Sequence, residues 1–124
     1  MGFHQRDALV ELYACADVFC LPSRHEPWGV VVNEAAACGL PLVVTDRVGA
    51  GADLVRAGEN GTVVAAEDPR ALAEALAAHI LPSARPHDVA RVSREMAAAW
   101  GYDFAVGQFA DMLAAVARRP GGEP

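Results

Sequence analysis

Three short apolar runs dominate the chain: Asp17-Val18-Phe19-Cys20-Leu21, Leu42-Val43-Val44-Thr45 and Thr62-Val63-Val64-Ala65. None alternates polar with apolar residues, so each reads as a strand buried on both faces. Stretches with helical spacing separate them. Buried strands that alternate with helices form a parallel sheet covered on both sides. The expected architecture is therefore a three-layer α/β domain around a small parallel sheet.

The helices follow from spacing and punctuation. Leu9, Leu12, Tyr13 and Ala16 predict a helix over 7–15, with Asp7 in its first turn. A second helix runs from Gly29 to Cys38, stopped by Gly39 and followed by Pro41. A short helix is expected near Asp53–Arg56, after the glycine-rich Gly49-Ala50-Gly51 loop, and Glu59-Asn60-Gly61 reads as a turn. Asp68 and Pro69 predict the N-cap and first turn of an alanine-rich helix reaching Ile80. Two more helices fit 87–99 and 103–118, giving one domain over 1–118 and a frayed, disordered tail at 119–124.

Composition narrows the function. The net charge is −6, all ten basic residues are arginine, and 53% of the chain is hydrophobic. That describes a globular protein with no basic face for nucleic acid. Cys15, Cys20 and Cys38 are odd in number and lack metal-ligand spacing, so buried free thiols and no bound metal are expected. No apolar run reaches the ~20 residues of a membrane span, and residues 1–6 have no apolar segment of the secretory type. A cytoplasmic setting is the expectation.

The chemistry concentrates in His25-Glu26-Pro27-Trp28-Gly29-Val30-Val31-Val32-Asn33-Glu34-Ala35. In open α/β sheets, ligands bind beyond the carboxyl ends of the strands. The strand ending at Leu21 feeds this segment, which opens a helix at a residue without a side chain. The first amides of a helix lack internal acceptors, and with the dipole they attract phosphate. Glu34 lies five residues further on, about 7.5 Å along the axis at 1.5 Å per residue. Its carboxylate leans back toward the N-terminus, within reach of a ribose attached to that phosphate. Glu26 precedes the helix and would face a sugar on the other side of the phosphates. The surface alternative is open for each of these residues, and Trp28 reads as a packing residue or as a stacking platform.

Several stretches together resemble a known family. They are Leu12-Tyr13-Ala14-Cys15-Ala16-Asp17-Val18-Phe19, Leu21-Pro22-Ser23, Glu26-Pro27-Trp28-Gly29 with Glu34-Ala35, and Ala37-Cys38-Gly39-Leu40-Pro41. Thr45-Asp46, Gly49-Ala50-Gly51 and Gly58-Glu59-Asn60-Gly61 follow. In this order they are similar to the C-terminal, nucleotide-binding half of glycosyltransferases with two facing Rossmann-like domains (the GT-B fold), specifically the retaining family 4, or group 1, type. The likeness is clear from residue 2 to about 80, and the last forty residues match only as generic helices.

The resemblance implies a Rossmann-like three-layer parallel sheet, a truncated half of a GT-B glycosyltransferase. It implies a hexosyltransferase-like activity: transfer from a nucleoside diphosphate sugar to an unidentified acceptor hydroxyl, with retention and without a cofactor or metal. It assigns Glu26 to the donor sugar as the candidate catalytic residue, Gly29, Val30 and Val31 to the diphosphate, and Glu34 to the ribose. Gly2-Phe3 matches the end of an internal strand of the family's C-terminal domain. The acceptor-binding N-terminal domain, and the basic residues that usually hold the phosphates, would therefore lie outside this chain. Arg24 and Arg47 read as surface residues and do not replace them. The chain alone is expected to be inactive, needing an N-terminal half or a homodimer. The alternative is a non-catalytic nucleotide-binding or interaction module that dimerises or complements a separate chain.

Overall fold

The computed structural model describes residues 6–81, 87–101, 106–108 and 110–111. Three parallel strands, β1 (Phe19–Leu21), β2 (Leu42–Thr45) and β3 (Gly61–Val64), lie in the order β1-β2-β3. Phe19 pairs with Leu42, and Leu42 pairs with Gly61. Every residue of the central strand β2 is buried, as its unbroken apolar run requires.

Among the described residues, helices α1 (Arg6–Ala14), α2 (Val30–Ala37), α3 (Gly51–Leu54), α4 (Pro69–Ile80) and α5 (Val89–Ala99) surround the sheet. Successive side chains of β2 point to opposite faces and create two cores. Leu42 and Val44 meet Val32, Ala35, Ala36 and Leu54 on one face. Val43 joins Val64, Ala75 and the half-buried Leu72 and Leu76 of α4 on the other. Helix α5 lies on the same side of the sheet as α2 and α3, packed mainly on α2, with Met96 and Ala97 against the first core. This is the expected three-layer, Rossmann-like arrangement.

Local signals set most of the boundaries. The Asp68 carboxylate accepts from the Ala71 amide at 2.9 Å, capping α4 with Pro69 in its first turn. Helix α2 ends in a Schellman motif: the Gly39 amide donates to Ala36 and the Leu40 amide to Ala35, with Gly39 at φ 81°. Pro41 then leads into β2.

Some boundaries shift. Strand β1 begins at Phe19 rather than Asp17, because the ladder starts where the Phe19 amide meets the Pro41 carbonyl. Strand β3 runs 61–64 rather than 62–65, set by Gly61 opposite Leu42. Helix α3 occupies 51–54 instead of 53–56, since Val55 is already extended. Cys15 is exposed, not buried, and Cys20 and Cys38 are half-buried; all three are free thiols. The expected helix over 103–118 and the tail at 119–124 lie mostly or wholly outside the described residues.

Candidate functional site

The loop from Pro22 to Gly29 leaves the carboxyl end of β1 and is bound to the loop that leaves β2. The Glu26 amide donates to the Arg47 carbonyl at 2.9 Å, the Gly49 amide to Glu26 at 3.0 Å, and the Ala50 amide to Trp28 at 2.9 Å. Glu26 and Val48 thus form a parallel bridge beyond the sheet. The Thr45 hydroxyl, at the end of β2, donates to the Ser23 carbonyl and fixes the start of the loop. Two flexible connections become one rigid ledge at the end of the sheet where α/β proteins bind ligands.

That ledge delivers Gly29 as the N-cap of α2, at φ 95° and ψ 68°. Only glycine adopts this left-handed conformation without strain. A Cβ there would also sit 3.3 Å from the Glu26 Cγ, so Glu26 and Gly29 are direct neighbours. Among the described residues, the amides of Gly29, Val30 and Val31 donate to no acceptor. Val30 is 64% exposed and Val31 40%. Val32, Ala35 and Ala36 form the buried face of α2, and Val30, Val31, Glu34 and Ala37 fall on the other. Val30 and Val31 are thus exposed at the helix start, on the side that carries Glu34, while Gly29 itself is buried.

Glu34 is half-buried, and its Oε2 accepts from the Tyr13 hydroxyl at 3.2 Å. With Leu9, Val10, Tyr13, Ala37 and Cys38 it lines a cavity of about 320 Å³ between α1 and α2. The predicted site residues thus fall into two groups. Glu26 and Gly29 touch on the ledge; Val30, Val31 and Glu34 share the outward face of α2, with Glu34 turned toward α1.

Burial, the hydrogen bond to Glu34, and the charges of Glu34 and Cys38 push the Tyr13 phenol up to about 12 from its ordinary 10.0. The folded chain holds this proton more tightly than the unfolded chain does. The resulting stability is present below about pH 10 and is lost as pH rises through about 12. The chain has two tyrosines. In a Tyr102→Phe variant, tyrosinate absorbance is expected near pH 12 in the folded protein and near 10 in urea. A folded-state midpoint near 10 would mean that the Tyr13–Glu34 contact is not formed.

Arg24 and Arg47 are exposed and pair with Glu67 at 3.1 Å and Asp46 at 3.7 Å, in keeping with their reading as surface residues. His25 is also exposed. The Trp28 indole donates to the Asn33 Oδ1 at 2.9 Å, and its ring lies 4.9 Å from that of Trp100, centroid to centroid. Sequence reading misses the Tyr13 and Trp100 contacts. The only signal for Tyr13 is a polar-tipped aromatic on the inner side of a helix; Trp100 is distant in sequence and gives none. Among the described residues, no three His, Cys, Asp or Glu side chains converge as a metal site would need, and no helix is long and apolar enough to cross a membrane.

Residues 1–96 match the family model described as "Glycosyl transferases group 1". The chain belongs to the group 1 glycosyltransferases. Among the relatives of this group 1 chain, a "D-inositol 3-phosphate glycosyltransferase" of Xylanimonas cellulosilytica is 37% identical over 117 residues, covering 94% of the chain and 28% of the relative. A "lipopolysaccharide core biosynthesis mannosyltransferase" of Rhizobium meliloti is 38% identical over 111 residues, covering 84% of the chain and 29% of the relative. Among solved structures, a sucrose-phosphate synthase from Thermosynechococcus elongatus superposes with a TM-score of 0.78 at 28% identity, over 94% of this chain and 30% of the other. The group 1 chain therefore spans less than a third of the length of these relatives, and its α/β fold corresponds to one fragment of a GT-B enzyme.

Proposed function

We propose that this chain is the donor-binding part of a retaining family 4 glycosyltransferase, corresponding to the C-terminal domain of the GT-B fold. The diphosphate of a nucleoside diphosphate sugar lies against the amides of Gly29, Val30 and Val31. The Glu34 carboxylate accepts from the ribose hydroxyls, and Glu26 faces the transferred sugar. The observation that supports this reading is the start of α2: among the described residues the Gly29, Val30 and Val31 amides have no acceptor, they lie in the segment that follows the carboxyl end of β1, and Glu34 shares the outward side of the helix with Val30 and Val31.

Chemically, transfer breaks the bond between the anomeric carbon and the diphosphate oxygen. Negative charge builds on the departing diphosphate. Fixed amide dipoles that need no reorganisation lower the energy of that charge. On this reading the donor needs no resident metal, and the acceptor is held by residues beyond these 124. The outer edge of β1, unpaired among the described residues, is where further strands or a partner chain would add.

The test is a calorimetric titration of uridine or guanosine diphosphate into the chain. Saturable binding is expected. Glu34→Ala should weaken it by roughly 10- to 150-fold, the worth of a hydrogen bond to a charged group at about 1.5–3 kcal/mol. Absence of nucleotide binding, or an affinity indifferent to Glu34→Ala, would reject the reading.

A further inference from the structure

We propose that Tyr13 is a positioning residue that aims the Glu34 carboxylate at the ribose. This rests on the reading of Glu34 as the ribose-binding group and adds how that group is held.

A glutamate on the outward face of a helix has three rotatable bonds and no fixed direction. Glu34 makes no ion pair among the described residues, and the side-chain hydrogen bond it receives there comes from Tyr13. The Tyr13 hydroxyl occupies one position on Oε2. A carboxylate offers about four lone-pair sites, so Oε1 and the second site of Oε2 remain for two vicinal hydroxyls. The phenol is itself fixed, its ring tilted at 60° against Phe19 of β1 with centroids 6.2 Å apart. Direction passes from the sheet through Phe19 and Tyr13 to the carboxylate.

The surroundings suit that task. Besides Tyr13 and Glu34, the cavity is lined by Leu9, Val10, Ala37 and Cys38, and no basic side chain is among them. The carboxylate is thus held by a neutral donor rather than by a cation. Tyr13 also stays protonated well into alkaline pH, so it remains a donor throughout the working range. A lysine or arginine in its place would compete with the ribose for the same oxygens.

Tyr13→Phe removes the donor and leaves the ring against Phe19, so the fold should persist; melting curves check this. The readout is the ratio of affinities for uridine diphosphate and 2′-deoxyuridine diphosphate, which a purely structural change would not move. The native chain is expected to prefer the ribose form by roughly 10- to 150-fold, the worth of one hydrogen bond to a carboxylate. Tyr13→Phe should cut that preference by roughly three- to tenfold, and Glu34→Ala should abolish it. If Glu34→Ala abolishes the preference and Tyr13→Phe leaves it intact, the positioning role is overturned while the ribose site stands. If Glu34→Ala leaves the preference intact, the ribose site fails, and the role of Tyr13 with it. Tighter binding by Tyr13→Phe at an unchanged ratio would also overturn the proposal, showing that the phenol competes with the ribose.

Discussion

Gly49→Ala is expected to lower the stability of the chain by about 3 kcal/mol or more and to dislodge the ledge that carries Glu26 and Gly29. A Cβ at Gly49 would lie 2.1 Å from the Pro27 carbonyl oxygen, 3.0 Å from its carbon and 3.3 Å from the Trp28 Cα. All three are backbone atoms, so no rotamer change relieves the clash. The loops would have to separate. Separation breaks the bonds from the Gly49 amide to Glu26 and from the Ala50 amide to Trp28. Overpacking costs about 1–3 kcal/mol, and each lost hydrogen bond adds about 1. Gly58→Ala is the control. Gly58 has φ 79°, but a Cβ there would meet nothing within 4 Å, so only backbone strain of about 1–2 kcal/mol is expected. Urea denaturation measures both. Equal costs would show that the two loops are not in backbone contact. Nucleotide affinity should fall for Gly49→Ala and hold for Gly58→Ala.

Much of this arrangement is legible in the sequence, for physical reasons that differ by element. Strand β2 is read at its observed limits, 42–45, because a central parallel strand is apolar throughout and punctuated by Pro41. The limits of α2 and α4 are legible because their caps are local: Gly39 ends one and Asp68 begins the other. The outward face of Glu34 follows from the helical period alone. Contacts between distant residues are not legible. The Tyr13–Glu34 pair spans 21 positions. Asn60 reads as a turn residue, and Asn-Gly does mark a turn, but its side chain is completely buried. Residue type places Cys15 inside; it follows the last turn of α1 and is exposed. In these cases tertiary packing decides, and propensity carries no information about it.

Replacing Asn60 is the second change expected to have a large effect. Its side chain is 0% exposed. Its Oδ1 accepts from the Arg56 amide at 2.7 Å, and its Nδ2 donates to the Leu54 carbonyl at 2.9 Å and the Ser93 hydroxyl at 3.3 Å. Ser93, also fully buried, donates in turn to the Leu40 carbonyl at 2.7 Å. One amide therefore joins the end of α3, the start of β3, helix α5 and the turn after α2. Asn60→Leu keeps the volume but takes the side-chain partner from the Leu54 carbonyl and the Arg56 amide, and leaves the Ser93 hydroxyl with its bond to Leu40 alone. At about 1–3 kcal/mol for each unsatisfied group, a loss of about 3 kcal/mol is a conservative expectation, lowering the melting temperature by roughly 10–15 °C for a chain of this size. Ser93→Ala leaves the Asn60–Leu54 and Asn60–Arg56 bonds in place and should cost less, about 1–2 kcal/mol. The double variant distinguishes a shared network from separate bonds. In a shared network the two costs overlap, and the double change falls short of their sum by about 0.5 kcal/mol or more, the range seen for contacting residues (roughly 0.5–3 kcal/mol). Strict additivity would mean that α5 is fastened independently of the β3 turn. Coupling would mean that the turn after α2 is held through Ser93 and Asn60 to the β3 turn; the ledge at Glu26 and Trp28 holds the other end of the helix by its own backbone bonds. On the proposed reading, a helix held at both ends keeps its first amides pointed in one direction before a diphosphate binds, which is what preorganised binding of an anion requires.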